Sequence, residues 1–256
     1  MSLKLSRPTI CMAAILLATA VAAQTAANRV YAERAEKEFY RAQAQWQSAP
    51  DNSTNAWNFA RTAFDFCTYT TNAAQRVGIA RAGIDAGRQL IARVPDSAAG
   101  HYYLAMNLGE LADAEAPSLA AYRLVYEVEK EFKVVVEIDE RFDHAGPARN
   151  LGELYFLAPG WPLSVGSKHK AREWLERAAD LAPDYPGNHL NLAEAQLKWR
   201  EPDAFETTMK NLDALWPAAQ TNFTGAAWES AWSDWSARRA ALKAEFQKIY
   251  PRVPGS

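Results

Sequence analysis

The sequence predicts an all-α chain, a solenoid of about four helix pairs finished by a C-terminal capping helix. Three observations predict it. Ala171, Leu175, Ala178 and Pro183 recur as Phe205, Met209, Leu212 and Pro217, each pair 34 residues apart. A fixed period of that length marks stacked helix–turn–helix units. His101, Leu104, Ala105 and Leu108 lie 6, 9, 10 and 13 residues beyond Pro95, and His189, Leu192, Ala193 and Gln196 lie at the same distances beyond Pro183. Between clusters of Gly and Pro the chain is rich in Ala, Leu, Glu and Arg, which favour helix, and no apolar–polar alternation runs long enough for a strand.

The elements follow in order. A helix from about Ala27 to Gln47 carries Ala35, Phe39 and Ala42. Their 4-then-3 spacing repeats that of Ala171, Leu175 and Ala178, which makes this the second helix of a degenerate opening unit. Turn residues from Ser48 to Ser53 separate it from a helix with Trp57, Ala60, Phe64 and Cys67 on one face. The next helix, Ala73 to Arg93, closes before Pro95, and another starts after Ser97. Its partner, Leu119 to Ile138, presents Tyr122, Val125, Val128, Phe132 and Val135 as one stripe. The two middle units are longer, with 45 residues from Pro95 to Glu140 and 43 from Glu140 to Pro183. Their extra length falls at Asp113–Ser118 and at Phe156–Lys168. A long non-helical loop inside a solenoid is functional more often than average. Beyond Pro217, Trp228, Trp232 and Trp235 share a helical face and cap the last unit.

Small residues on the second helix, Leu-Gly-x-x-Tyr on the first (Leu151 to Tyr155) and Pro after the second resemble the tetratricopeptide repeat (TPR). Trp57, His101 and His189 stand where that family places a large first-helix residue. The clearest units span 146–217, and fainter ones reach back to about Val30. Gly146 to Ala193 also resembles the T component of tripartite ATP-independent periplasmic (TRAP) transporters. That resemblance implies an exported helical protein that engages a solute-binding partner. The chain departs from that pattern in having no lipobox cysteine, and Gly160 and Gly166 stand where the pattern has a glycine pair.

The chain is expected to begin with a secretory signal, with a retained N-terminal anchor as the alternative. Lys4 and Arg7 precede an uncharged apolar run, Ile10 to Ala22, and Val21-Ala22-Ala23 suits cleavage after Ala23. This divides the chain into a signal, 1–23, and one repeat domain, 24–256, secreted or periplasmic. Cleavage removes two basic groups and takes the formal charge from −2 to −4, a balance that offers no footprint for nucleic acid. No other segment is apolar enough to span a membrane. Cys67 alone remains, so no internal disulfide forms.

Chemistry is sparse. His101, His144, His169 and His189 make no metal spacing. His101 and His189 occupy equivalent positions, which points to packing between helices. Asp139, Glu140, Asp143 and His144 fall at an inter-unit turn and read as solvated charges. Ser164 lacks the preceding glycine of a nucleophile elbow, and Cys67 sits on an apolar face with no basic neighbour to activate it. The expectation is therefore a noncatalytic protein without metal or cofactor, binding a protein partner in the cell envelope, among which a periplasmic solute-binding protein is one. Self-association into a ring would favour the transporter alternative; an enzyme on a repeat scaffold is the remaining one. The expected exposed face of the first helices pairs Asn58 with Arg61, Tyr102 with Met106, Arg149 with Glu153 and Leu190 with Glu194. Tyr102, Met106, Arg149, Glu153 and Trp161 are the candidate partner-binding residues. Trp161, between Gly160 and Pro162, is expected to plug its loop onto its own repeat.

Overall fold

A computed structural model describes residues 7–116 and 118–251, with side chains from Asn28 onward. The expected signal and its cleavage site fall on Met1 to Ala23, whose side chains lie outside the described residues, as does Pro117 of the first insert. Ten helices make up the described chain: α1 (Arg7–Ser48), α2 (Ser53–Tyr69), α3 (Ala73–Arg93), α4 (Ala98–Ala114), α5 (Leu119–Asp139), α6 (Phe142–Leu157), α7 (Lys168–Leu181), α8 (Pro186–Lys198), α9 (Pro202–Asn222) and α10 (Glu229–Ile249). The described residues form no strand; a single bridge joins Gly160 to Gly166. None of their helices is long and apolar enough to cross a membrane.

Local chemistry starts these helices. The backbone N–H groups of Asn55, Gln75, Gly100, Ala121 and Lys170 donate to the side chains of Asn52, Asn72, Ser97, Ser118 and Ser167, at 3.0–3.3 Å. Each bond satisfies an N–H that the helix itself leaves unpaired. Helices α8 and α9 instead begin with Pro186 and Pro202, where a missing N–H costs nothing.

The predicted units are present. Each even-numbered helix from α2 to α8 pairs with the odd-numbered helix after it, and α2, α4, α6, α8 and α10 pack in succession along one side. Helix α1 packs on α2 as the second helix of an incomplete opening unit, through Phe39 and Ala42. The 34-residue correspondence is a packing correspondence: Ala171, Leu175 and Ala178 are buried on α7, and Phe205, Met209 and Leu212 on α9. Gly152 shows how close the helices come. A Cβ there would stand 2.6 Å from Leu175 Cγ, so α6 and α7 could not pack at this distance around any larger residue.

Two buried asparagines tie the stack across helices. Asn107 of α4 donates to the carbonyl oxygens of Ala60 (2.8 Å) and Tyr103 (2.7 Å). Asn188 of α8 donates to those of His144, Ala178 and Ala182 at 2.9–3.1 Å. His101 and His189 behave alike, each placing Nε2 2.8 Å from the carbonyl oxygen of the proline six residues earlier. His101 also meets Glu131. Both imidazoles therefore join successive helices, as their equivalent positions implied.

Several expectations are corrected. Counted from the N-cap residues, the α2 equivalent of His101 and His189 is Ala56, not Trp57. Trp57 is turned one residue round the helix and stacks on Tyr103, with ring centroids 6.1 Å apart. Pro217 does not end its helix; α9 continues to Asn222, since a proline removes one N–H bond but does not forbid helical dihedrals after it. Asp143 and His144 are not free surface charges; both are held in the network described below.

The two ends of the stack meet. Arg34 of α1 donates to the Ala226 carbonyl oxygen (2.8 Å) and pairs with Glu229 (3.0 Å), and Tyr69 of α2 hydrogen-bonds Ser230 (2.5 Å). The even-numbered helices therefore line the inside of a curve that closes on itself.

Candidate functional site

The expected inner-face residues divide into two groups. Tyr102 and Arg149 belong to a buried clamp. Asp143, His144 and Ala145 all take left-handed backbone conformations, with φ of 49°, 55° and 60°, a state that costs about 1–2 kcal/mol per non-glycine residue. Arg149 holds this turn. Its Nη1 donates to the carbonyl oxygens of Asp143 and His144 and to Asn188 Oδ1, and its Nη2 pairs with Asp143 Oδ2 at 2.9 Å. The guanidinium lies 4.9 Å from the Tyr185 ring centroid. Tyr102, 2% exposed, donates its hydroxyl to Asp143 Oδ2 at 2.6 Å and accepts from Asn150 Nδ2 at 3.0 Å. Burial and the Asp143 carboxylate push the Tyr102 hydroxyl well above its ordinary value. His144 stacks flat on Tyr185 at 4.8 Å and meets the edges of Phe223 and Trp228. The cluster thus works as a structural joint where α6, α8 and the cap converge. Leu190, expected on the exposed face, is fully buried.

Met106 and Glu153 are half-buried and line a groove of about 540 Å³ between α4, α5 and α6. Its walls are mostly apolar, from Phe64, Met106, Val125, Leu154 and Leu157, with Asn150 and Glu153 among the polar groups. Both inserts border it, Asp113 and Ala116 on one side and Leu157 to Pro159 on the other. Gly109 of α4 also lines it, and a Cβ added there would meet nothing within 4 Å. Glycine inside a helix costs about 1 kcal/mol relative to alanine, and no packing neighbour requires it here.

Glu153 makes no hydrogen bond and no ion pair within 4 Å with the described residues. Burial pushes its carboxyl above the ordinary range, with Arg149 and Arg238 pulling it back and Glu194 and Asp234 adding to the rise. Asn150 uses its amide nitrogen on Tyr102 and on Met106 Sδ (3.3 Å), and its Oδ1 accepts nothing from the described residues. Around the inner face, Arg61, Arg149 and Arg238 stand against Asp65, Asp143, Glu153, Glu194 and Asp234. Arg238 is committed to Glu194 and Asn191, at 2.9 and 2.6 Å.

The loop after α6 is ordered by its own backbone. Gly166 N–H donates to the Pro159 carbonyl and Ser167 N–H to that of Tyr155, both at 2.9 Å. Ser164 points inward and is buried, and Val165 packs on the core. Trp161 is not a plug. It is 88% exposed at the tip, with Leu163 beside it at 60% and Leu157 at the stem at 74%. The inward contact is Val165, while Ser164 is buried with its hydroxyl unpartnered, and the tryptophan is left in solvent. Cys67 is buried, and its thiol is pushed up to about 12 by burial and by Glu110, which makes it inert as a nucleophile at neutral pH. The described residues contain no group of three His, Cys, Asp or Glu that could hold a metal ion.

Comparison with solved structures gives a thermophilic TPR protein of Thermus thermophilus. It superposes with a TM-score of 0.59 over 84% of this chain and 94% of its own, at 18% identity. The fold is the tetratricopeptide-repeat fold. The TPR likeness lies in the architecture, since no protein-family model and no curated protein matches the sequence. In TPR terms, α2, α4, α6 and α8 are the first helices of four units and α10 is the cap. The groove and the Trp161 loop are additions in the second and third units. Tyr102, Met106, Arg149 and Glu153 all come from first helices, as expected. Sequence reasoning missed Gly109 and Asn150. Gly109 was legible as a glycine without a turn to make; Asn150 carried no signal apart from its neighbour Arg149.

Proposed function

We propose that this chain is a noncatalytic binding protein that docks a protein partner on the loop between α6 and α7. The observation that carries the proposal is the exposed tip. Trp161 and Leu163 stand in solvent on a loop pinned by backbone hydrogen bonds and by Val165, which packs on the core. Aromatic and aliphatic anchors presented at low entropic cost are what a protein contact uses. The basic start and small-residue site of the signal support export, and so a partner in the cell envelope. The resemblance of Gly146–Ala193 to the TRAP T component makes a periplasmic solute-binding protein the first partner to test. The test places a photo-crosslinking residue at 161 and, as a control, at the exposed Tyr40 of α1. A partner adduct formed from 161 alone supports the proposal. Identical adducts from both positions, or none from 161, count against it.

A further inference from the structure

We infer that the groove between α4, α5 and α6 is a small-molecule site, separate from the loop tip, and that it takes a primary alkylammonium, with the apolar chain along the groove and the ammonium on Glu153 and Asn150. Its volume, about 540 Å³, lies in the usual range for ligand sites, and an apolar lining with a few convergent polar groups is their usual composition. Gly109 keeps one wall open, since any larger side chain would project into space that no protein atom occupies.

The head group follows from the acceptors. Glu153 and Asn150 lie one turn apart on the same face of α6. A free carboxylate and a free amide oxygen offer acceptors and no available donor, which suits a group rich in N–H. The charge balance agrees. The neighbouring cations are already engaged, Arg149 by Asp143 and Asn188, and Arg238 by Glu194 and Asn191. Of the carboxylates that line the groove, Glu110 and Asp113 are paired with Arg76, and Glu153 is left without a hydrogen-bonded or ion-paired cation. A quaternary ammonium would supply the charge without the hydrogen bonds, an alcohol the reverse, and a fatty carboxylate would be repelled.

Calorimetry on the full chain at pH 7.5 with octylamine, 1-octanol, octanoate and octyltrimethylammonium tests this. Octylamine is expected to bind about tenfold more tightly than the other three, the scale of one charge-assisted hydrogen bond. Glu153→Gln should bring amine and alcohol to similar affinity while leaving the alcohol unchanged. Gly109→Leu should remove binding of both, with helix content by circular dichroism unaltered. The preference for amine should also disappear as pH falls and Glu153 takes up a proton. Equal binding of all four ligands, a preference that survives Glu153→Gln, or no octylamine binding at millimolar concentration overturns the proposal. Should Gly109→Leu misfold, the ligand series and Glu153→Gln still decide. Trp161→Ala should leave octylamine binding intact, so failure here and failure of the docking loop are read separately.

Discussion

Arg149 and Asp65 show how differently two charges on one inner face can behave. The Arg149 guanidinium is almost buried and holds together a turn of three left-handed residues, so removing it leaves the Asp143 carbonyl without its donor and takes one of two donors from the His144 carbonyl and from the Asp143 carboxylate. Arg149→Met is expected to cost about 3 kcal/mol in denaturant unfolding; a loss below about 1 kcal/mol would mean that the turn stands without it. Asp65 pairs with Arg61 at 2.9 Å, yet its carboxyl is pushed up to about 6, chiefly by burial and further by Asp143. The folded state therefore keeps this proton to higher pH than the unfolded state. Asp65 contributes stability at low pH that is lost as pH rises from 3.8 to about 6. The side chain is 39% exposed, so solvent screening reduces the effect to about 1 kcal/mol. The stability difference between wild type and Asp65→Asn should shift by that amount across the window, in favour of the variant at higher pH. A difference independent of pH would show that Asp65 titrates normally.

At the scale of elements, the small residues are what let helices pair. Ala178 of α7 is fully buried against Ala145 and Ala148 of α6. Ala178→Trp would force these helices apart, and overpacking of about 1–3 kcal/mol or more should appear as a lower melting temperature. An unchanged melting temperature would mean that the α6–α7 interface yields freely. Gly109 is the opposite case. With open space at its Cβ, Gly109→Ala should stabilise α4 by about 0.5–1 kcal/mol. A destabilised Gly109→Ala would reveal a contact that the groove does not show. The loop makes a third contrast. Trp161→Ala should stay within about 0.5 kcal/mol of wild type, as for other exposed sites, whereas a buried plug would cost several times more.

The whole molecule closes on itself through few contacts. Arg34–Glu229 and Tyr69–Ser230 join the first helices to the cap, and an ion pair about half exposed on each side contributes at most about 1 kcal/mol. Arg34→Ala combined with Tyr69→Phe should therefore leave thermal stability nearly unchanged but let the ends separate, which small-angle scattering would read as a larger radius of gyration. No change in dimension would assign the closure to the stacking of the units themselves. The sequence by itself determined the helices, their pairing and the packing positions of α7 and α9, because a 34-residue period, N-cap side chains and buried small residues act over neighbouring turns of chain. It also marked both inserts and the first-helix origin of Tyr102, Met106, Arg149 and Glu153. Only the tertiary structure decided that Tyr102 and Arg149 are sealed into a joint while Met106 and Glu153 face a groove, and that Trp161 stands in solvent. Those outcomes depend on what lies opposite each residue, and the opposing groups come from units 40 or more residues away, such as Tyr102 beside Asp143 and Asn150. A repeating pattern specifies how neighbours stack; which side chains end up covered is fixed by the curvature that accumulates over all of them.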